Sequence, residues 1–136
     1  MDIQVAVLCD AATDSGGKLN LLGAFDTIHA AELPAVHPFC SVALRLTFTN
    51  AEEGEHKLSL HFVNDDGQPV MPSIEIPVNI VLPDDNHFVT CNFIVNIQQL
   101  KFDAPGQYAV ELNLDGKTVG SIPLLVKHTP APVQEA

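Results

Sequence analysis

Period-two alternation, sustained in four separate runs, is the feature that most limits what this chain can fold into. Val42, Leu44, Leu46 and Phe48 fall on one side of an extended backbone, and Ala43, Arg45, Thr47 and Thr49 fall on the other. Leu58, Leu60 and Phe62 alternate with Ser59, His61 and Val63. Val89, Cys91, Phe93, Val95 and Ile97 alternate with Thr90, Asn92, Ile94, Asn96 and Gln98. Tyr108, Val110, Leu112 and Leu114 interleave with Ala109, Glu111 and Asn113. A spacing of two gathers apolar residues on one face of a strand but scatters them around a helix. The chain reads as strands.

Turn-forming residues separate the runs. They are Asp14-Ser15-Gly16-Gly17, residues 50–54, Asn64-Asp65-Asp66-Gly67, Pro83-Asp84-Asp85-Asn86, Asp103-Ala104-Pro105-Gly106 and Asp115-Gly116. The pair Asp115-Gly116 predicts a tight hairpin, because a type I′ turn takes two residues at positive φ. Runs and turns together predict eight strands, over 2–9, 18–28, 39–50, 55–64, 73–82, 86–98, 107–115 and 117–127. The segment 30–38 exceeds a tight hairpin and is expected to cross between sheets, and 99–103 is expected to hold one helical turn. Pro72, Pro77 and Pro123 cannot donate ladder hydrogen bonds, which puts their runs at sheet edges or bulges. Gly23, inside an apolar run, suggests a bulge or a close backbone approach.

Eight short strands, most with one polar face, predict an all-β, single-domain, two-layer antiparallel β-sandwich of the Ig-like kind, the alternative being a closed barrel. Edge prolines favour the open sandwich. Phe48, Leu60, Phe93, Val95, Tyr108, Val110 and Leu112 are expected in one core. The domain is expected over 1–128, and 129–136, with Pro130, Pro132 and little to bury, is expected to be a disordered tail.

Charge narrows the partners. Six Lys and Arg against 17 Asp and Glu give a net charge of −11, with Arg45 as the sole arginine. That balance argues against nucleic acid and against anionic membrane as partners. No segment reaches the roughly 18 apolar residues of a membrane span, and the opening Met1-Asp2-Ile3-Gln4 lacks the positive region of a secretion signal. Cys9, Cys40 and Cys91 are odd in number and sit in apolar settings, as buried free thiols do. A cytoplasmic protein is expected.

Catalytic patterns are sparse. No serine sits in a G-x-S-x-G elbow, and Ser121 in Gly120-Ser121-Ile122 reads as an ordinary strand position. Cys40 follows His37 by three residues, but it opens a strand beside Val42 and reads as a packed thiol. The histidines are His29, His37, His56, His61, His87 and His128, and none makes a zinc-ligand spacing; His61 and His87 would meet only if the sheets joined them. Sugar-binding sandwiches use exposed aromatics, and here only Phe102, near a loop, is a candidate, since Tyr108 has core-facing parity. Gly16-Gly17 lacks the lysine and following helix of a phosphate loop.

The segments Val5-Ala6-Val7-Leu8-Cys9-Asp10, Gly17-Lys18-Leu19-Asn20-Leu21-Leu22-Gly23-Ala24-Phe25-Asp26-Thr27-Ile28 and Leu33-Pro34 resemble a family of small bacterial β-sandwich proteins of unknown function. Asp66-Gly67 and Pro105-Gly106-Gln107-Tyr108 fit the same pattern, and the resemblance runs to about Lys127. It implies a single sandwich domain in a bacterial cytoplasm and carries over no site residue.

A sandwich without a catalytic constellation still offers edges to a partner strand. The expected function is a non-catalytic interaction or accessory module, without cofactor, that binds a protein partner and is itself a monomer or weak homodimer. The run 73–81 is one edge that could pair with its copy, although Pro72 and Pro77 oppose continuous pairing. The alternative is a divalent-cation module. If strands alternate direction, Asp10 and Asp14 share one pole with Glu52, Glu53, Glu55, Asp84, Asp85 and Asp115, and Asp10, Asp14, Asp84 and Asp85 converge on Ca²⁺.

Overall fold

In the computed structural model, which describes residues 1–130, the alternating runs become nine strands in two sheets. They are β1 (Asp2–Ser15), β2 (Lys18–Phe25), β3 (Thr27–Ala30), β4 (Ala35–Thr49), β5 (Gly54–Val63), β6 (Ile74–Ile80), β7 (Phe88–Phe102), β8 (Gly106–Leu114) and β9 (Lys117–His128), with a 3₁₀ turn at Asn50–Glu52. A four-stranded sheet has the order β2-β1-β4-β7, and a five-stranded sheet the order β3-β9-β8-β5-β6. Their inner faces supply one core, with Leu44, Leu46 and Phe48 meeting Leu58, Leu60, Phe62, Val110, Leu112 and Leu124. The fold is the expected sandwich.

The count of eight fails at one place. The run expected as a single strand over 18–28 divides at Asp26, and its halves join different sheets. β2 stays antiparallel to β1, whereas β3 pairs parallel to β9, the exception in an otherwise antiparallel ladder. Asp26 sits on the crossing: its carbonyl accepts the Leu125 N–H at 2.8 Å, and its carboxylate accepts the Thr27 hydroxyl at 2.9 Å. The segment 30–38 does cross back, from β3 in one sheet to β4 in the other. Of the tail expected over 129–136, residues 131–136 lie outside the described residues; Thr129 donates its N–H to the Ala30 carbonyl at 2.8 Å.

Proline placement follows ladder chemistry. Pro77 lies in β6, an edge strand, and Pro72 precedes it. Pro123 belongs to β9, which is flanked on both sides, but β3 pairs with β9 only from Leu125 onward, so at Pro123 that side is open. Gly23 is a close approach rather than a bulge. The register from Leu8↔Phe25 to Ser15↔Lys18 is unbroken, and the Asp10 side chain occupies the space a Cβ on Gly23 would need, at φ 68°.

β4 is covered on both sides. Cys40, Val42 and Leu44 face the core, yet Ser41 and Ala43, of the opposite parity, are fully buried as well. Their cover is the β1–β2 hairpin, whose turn is drawn over the outer face of the sheet. Arg45 Nη1 donates to the Gly17 carbonyl at 3.0 Å, and Asn92 Nδ2 donates to Gly17 O and Asp14 Oδ2, each at 3.1 Å. Small side chains at 41 and 43 let that layer approach.

The helical turn expected over 99–103 is instead the end of β7. Gln99, opposite Pro38 in the β4–β7 register, adopts φ 55°, and the inward parity changes there. Val89 through Ile97 point inward at odd numbers, whereas beyond Gln99 the buried residues are Leu100 and Phe102. Phe102 is therefore fully buried rather than an exposed platform. It packs edge-to-face on Tyr108 at 4.9 Å and tilts against Phe62 at 6.1 Å. Phe93, Val95 and Tyr108, expected deep in the core, are half-buried at its margin. Phe102→Ala is expected to cost about 3–5 kcal/mol and Phe93→Ala about 1–2 kcal/mol at half-burial. Urea titration of the two variants checks the order, which reverses if β7 packs with the other parity.

Candidate functional site

Three connections meet at one acidic pole. Glu52 and Glu53 come from the link between β4 and β5, Asp84 and Asp85 from 81–87, and Asp115 from the β8–β9 turn. Glu53 Oε1 accepts the Leu82 N–H at 3.3 Å. His56 ties the first link to the third: Nδ1 lies 2.6 Å from Asp115 Oδ2, and Nε2 lies 2.6 Å from the Glu52 carbonyl oxygen. Both partners are acceptors, so the doubly protonated ring satisfies both bonds and a neutral ring satisfies one. The bond to Asp115, then that to Glu52 O, holds the imidazole above its ordinary value. The same bond to His56, with the Lys57 N–H, holds Asp115 below the usual carboxylate range. Burial works to raise Glu52, but the Met1 amino group at 2.8 Å and the Thr49 N–H outweigh it and leave that carboxyl lowered.

Asp10 and Asp14 do not share this pole. The division at Asp26 adds a chain reversal that an eight-strand count omits, and both residues ride on the hairpin over the outer face. Asp14 is occupied by Gly17 N–H at 3.0 Å and by Asn92, and Asp10 lies against Gly23. Among the described residues, no three His, Cys, Asp or Glu side chains form a group that could hold a metal ion.

The thiols are packed. Burial pushes Cys40 up to about 11, with Cys9 and Asp10 adding to the effect, and burial likewise raises Cys9 and Cys91. All three stay protonated at neutral pH, and none is in a disulfide. The His37 ring packs on Phe25, with centroids 5.6 Å apart. His61 stands near the end of β5 opposite Glu111, while His87 precedes β7 at the acidic pole. Ser121, opposite Glu111, is an exposed strand residue.

The arrangement with binding chemistry is the edge of the four-stranded sheet. β7 runs 15 residues and pairs with β4 from Ala35↔Phe102 to Thr49↔Phe88 without a register shift. Among the described residues, its other side has no strand neighbour. Edge strands normally carry charge, proline, a bulge or short length. Residues 88–100 hold no charged residue and no proline. Three polar side chains turn away from the open side: Thr90 bonds Thr47 at 3.1 Å, Asn92 accepts from Arg45 at 2.9 Å, and Asn96 accepts from Ser41 at 2.7 Å. What the edge presents is backbone N–H and C=O. The edges of the five-stranded sheet are blunted, by Pro77 in β6 and by the four-residue length of β3, and β2 is shorter than β7, at eight residues, opens on Lys18 and turns left-handed at Gly23. The sequence signal for this site was the charge-free run 88–100 in a chain of net charge −11, but alternation alone does not separate an edge strand from a central one.

Residues 4–127 match the model of a family described as a family of unknown function, DUF6941. No curated protein matches the chain. Among solved structures, the chain is similar to Pseudomonas fluorescens alkylpurine DNA glycosylase AlkC bound to DNA containing an abasic site analog, at 11% identity and a TM-score of 0.45. That likeness covers 74% of this chain and 27% of the glycosylase chain.

Two outcomes are expected at the pole. The bonds of His56 contribute stability that is complete below the ordinary imidazole value of about 6.5 and is lost as pH rises through the raised folded value. The Asp115 contribution has the opposite sense, present above its ordinary value and lost as pH falls through the lowered one. The melting temperature of the wild-type chain relative to His56→Gln should therefore fall as pH is raised above about 6.5, and a constant difference would refute the linkage. Millimolar Ca²⁺ should leave the melting temperature where a salt control of equal ionic strength puts it; a rise abolished by Asp84→Asn would establish a cation site.

Proposed function

We propose that this chain, which belongs to the DUF6941 family of unknown function, is a non-catalytic protein-interaction module that receives an extended strand along β7. The observation that carries the reading is this 15-residue edge, paired with β4 without a register shift and free of charge and proline over residues 88–100. Strand addition takes its affinity from main-chain hydrogen bonds, which this edge offers, and its selectivity from alternate side chains. The half-buried Cys91, Phe93 and Val95 at the margin of the core are the apolar row such a strand would extend. Three thiols without a disulfide support the cytoplasm as its compartment.

A lysine is the charge that natural edges use to refuse a strand. Ile94→Lys places one in mid-edge on the outer face. With the full chain as bait, proteins retained by the wild type should be lost on Ile94→Lys and kept on Lys117→Gln, which lies on β9. Retention that ignores Ile94→Lys would overturn the edge reading.

A further inference from the structure

Resting on the reading of β7 as the working edge, we infer that its occupant is a second copy of this chain, paired antiparallel across a two-fold axis through Ile94. Two bodies each carrying a net charge of −11 repel, so a copy docks only where no carboxylate meets a carboxylate. Residues 88–100 carry none, and Thr90, Asn92 and Asn96 on the outer face of β7 are already engaged with β4 and the hairpin.

The strand is also complementary to itself. A two-fold axis through one residue pairs each position with its mirror and keeps outward residues opposite outward residues. Centred on Ile94, it sets Asn92 against Asn96 and Thr90 against Gln98 on the outer face, and Phe93 against Val95 and Cys91 against Ile97 on the inner face. Centred on Phe93, it would set Asn92 against Ile94. Of these two, only the first sets polar against polar and apolar against apolar; a centre at Cys91 also matches them, but over residues 88–94 alone, against 90–98 for the centre at Ile94. The inner pairs continue the row from Val89 to Ile97 that borders the core, and pairing stops at Gln99, where the backbone turns left-handed. The product joins two four-stranded sheets into one of eight, with the β7 edge removed.

The experiment is sedimentation velocity of the full chain over roughly two decades of concentration, with Ile94→Lys, Ile94→Glu and their equimolar mixture. Circular dichroism and melting confirm that each variant is folded. The wild type should form dimers that tighten when ionic strength rises from about 0.05 to about 0.5 M, because screening relieves the long-range repulsion. Each variant alone places like charges on the axis and should weaken association at least about tenfold, and the mixture should restore it. A wild type that stays monomeric throughout, or a mixture that fails to recover association lost by both variants, overturns the inference. The two readings separate: a monomer whose bait still loses retained proteins on Ile94→Lys keeps the edge and rejects the copy, whereas dimers indifferent to both substitutions, with unchanged retention, reject both.

Discussion

A strand buried on both faces needs cover on both, and β4 sets that requirement for the whole molecule. It is central to the four-stranded sheet, hydrogen-bonded to β1 on one side and β7 on the other. Its inner residues face the five-stranded sheet, and its outer residues Ser41 and Ala43 are as fully sealed as the core. The second cover is the β1–β2 hairpin, held by Arg45 of β4 and Asn92 of β7. Arg45, the sole arginine of an acidic chain, bonds neutral oxygens of Gln4, Gly17 and Asn92. Its planar donors connect three segments.

That arrangement explains why one edge is dressed and the other bare. The hairpin engages the outward polar side chains of β4 and β7, but it adds no strand beyond β7. Among the described residues, main-chain groups on that side have no strand neighbour. The same hairpin carries Asp10 and Asp14 away from the acidic pole, where His56 bonds oxygen atoms from two connections. The charge-free run of β7 thus begins where the acidic connection 81–87 ends.

Much of the fold was legible because period two is a direct imprint of burial. The alternation located the strands, Asp115 and Gly116 do adopt positive φ at 52° and 84°, and Pro77 does mark an edge. The failures occur where burial and alternation part company. Ser41 and Ala43 read as an outward face because small residues there could as well meet water, and only the hairpin decides otherwise. Phe102 read as a loop aromatic because the left-handed residue Gln99 inverts the parity just before it. Asp26 divides the run 18–28 with no glycine or proline beside it to announce the break. The open edge of β7 was less legible still, since which strand lies outermost is a property of topology, and no local pattern encodes it.

The parallel pairing of β3 with β9 has a consequence for the order in which the molecule can be assembled. Thr27 lies beside Leu125 and Ala30 beside His128, so the third strand waits for the ninth. Closing a loop of that span is costly in chain entropy before any contact rewards it, and such topologies fold slowly. On a ribosome, β4 and β5 emerge long before β9 does, and β3 has no ladder to join in the interval. The five-stranded sheet grows from its β5–β6 end through β8 and β9, and its first-made strand is the one that closes it.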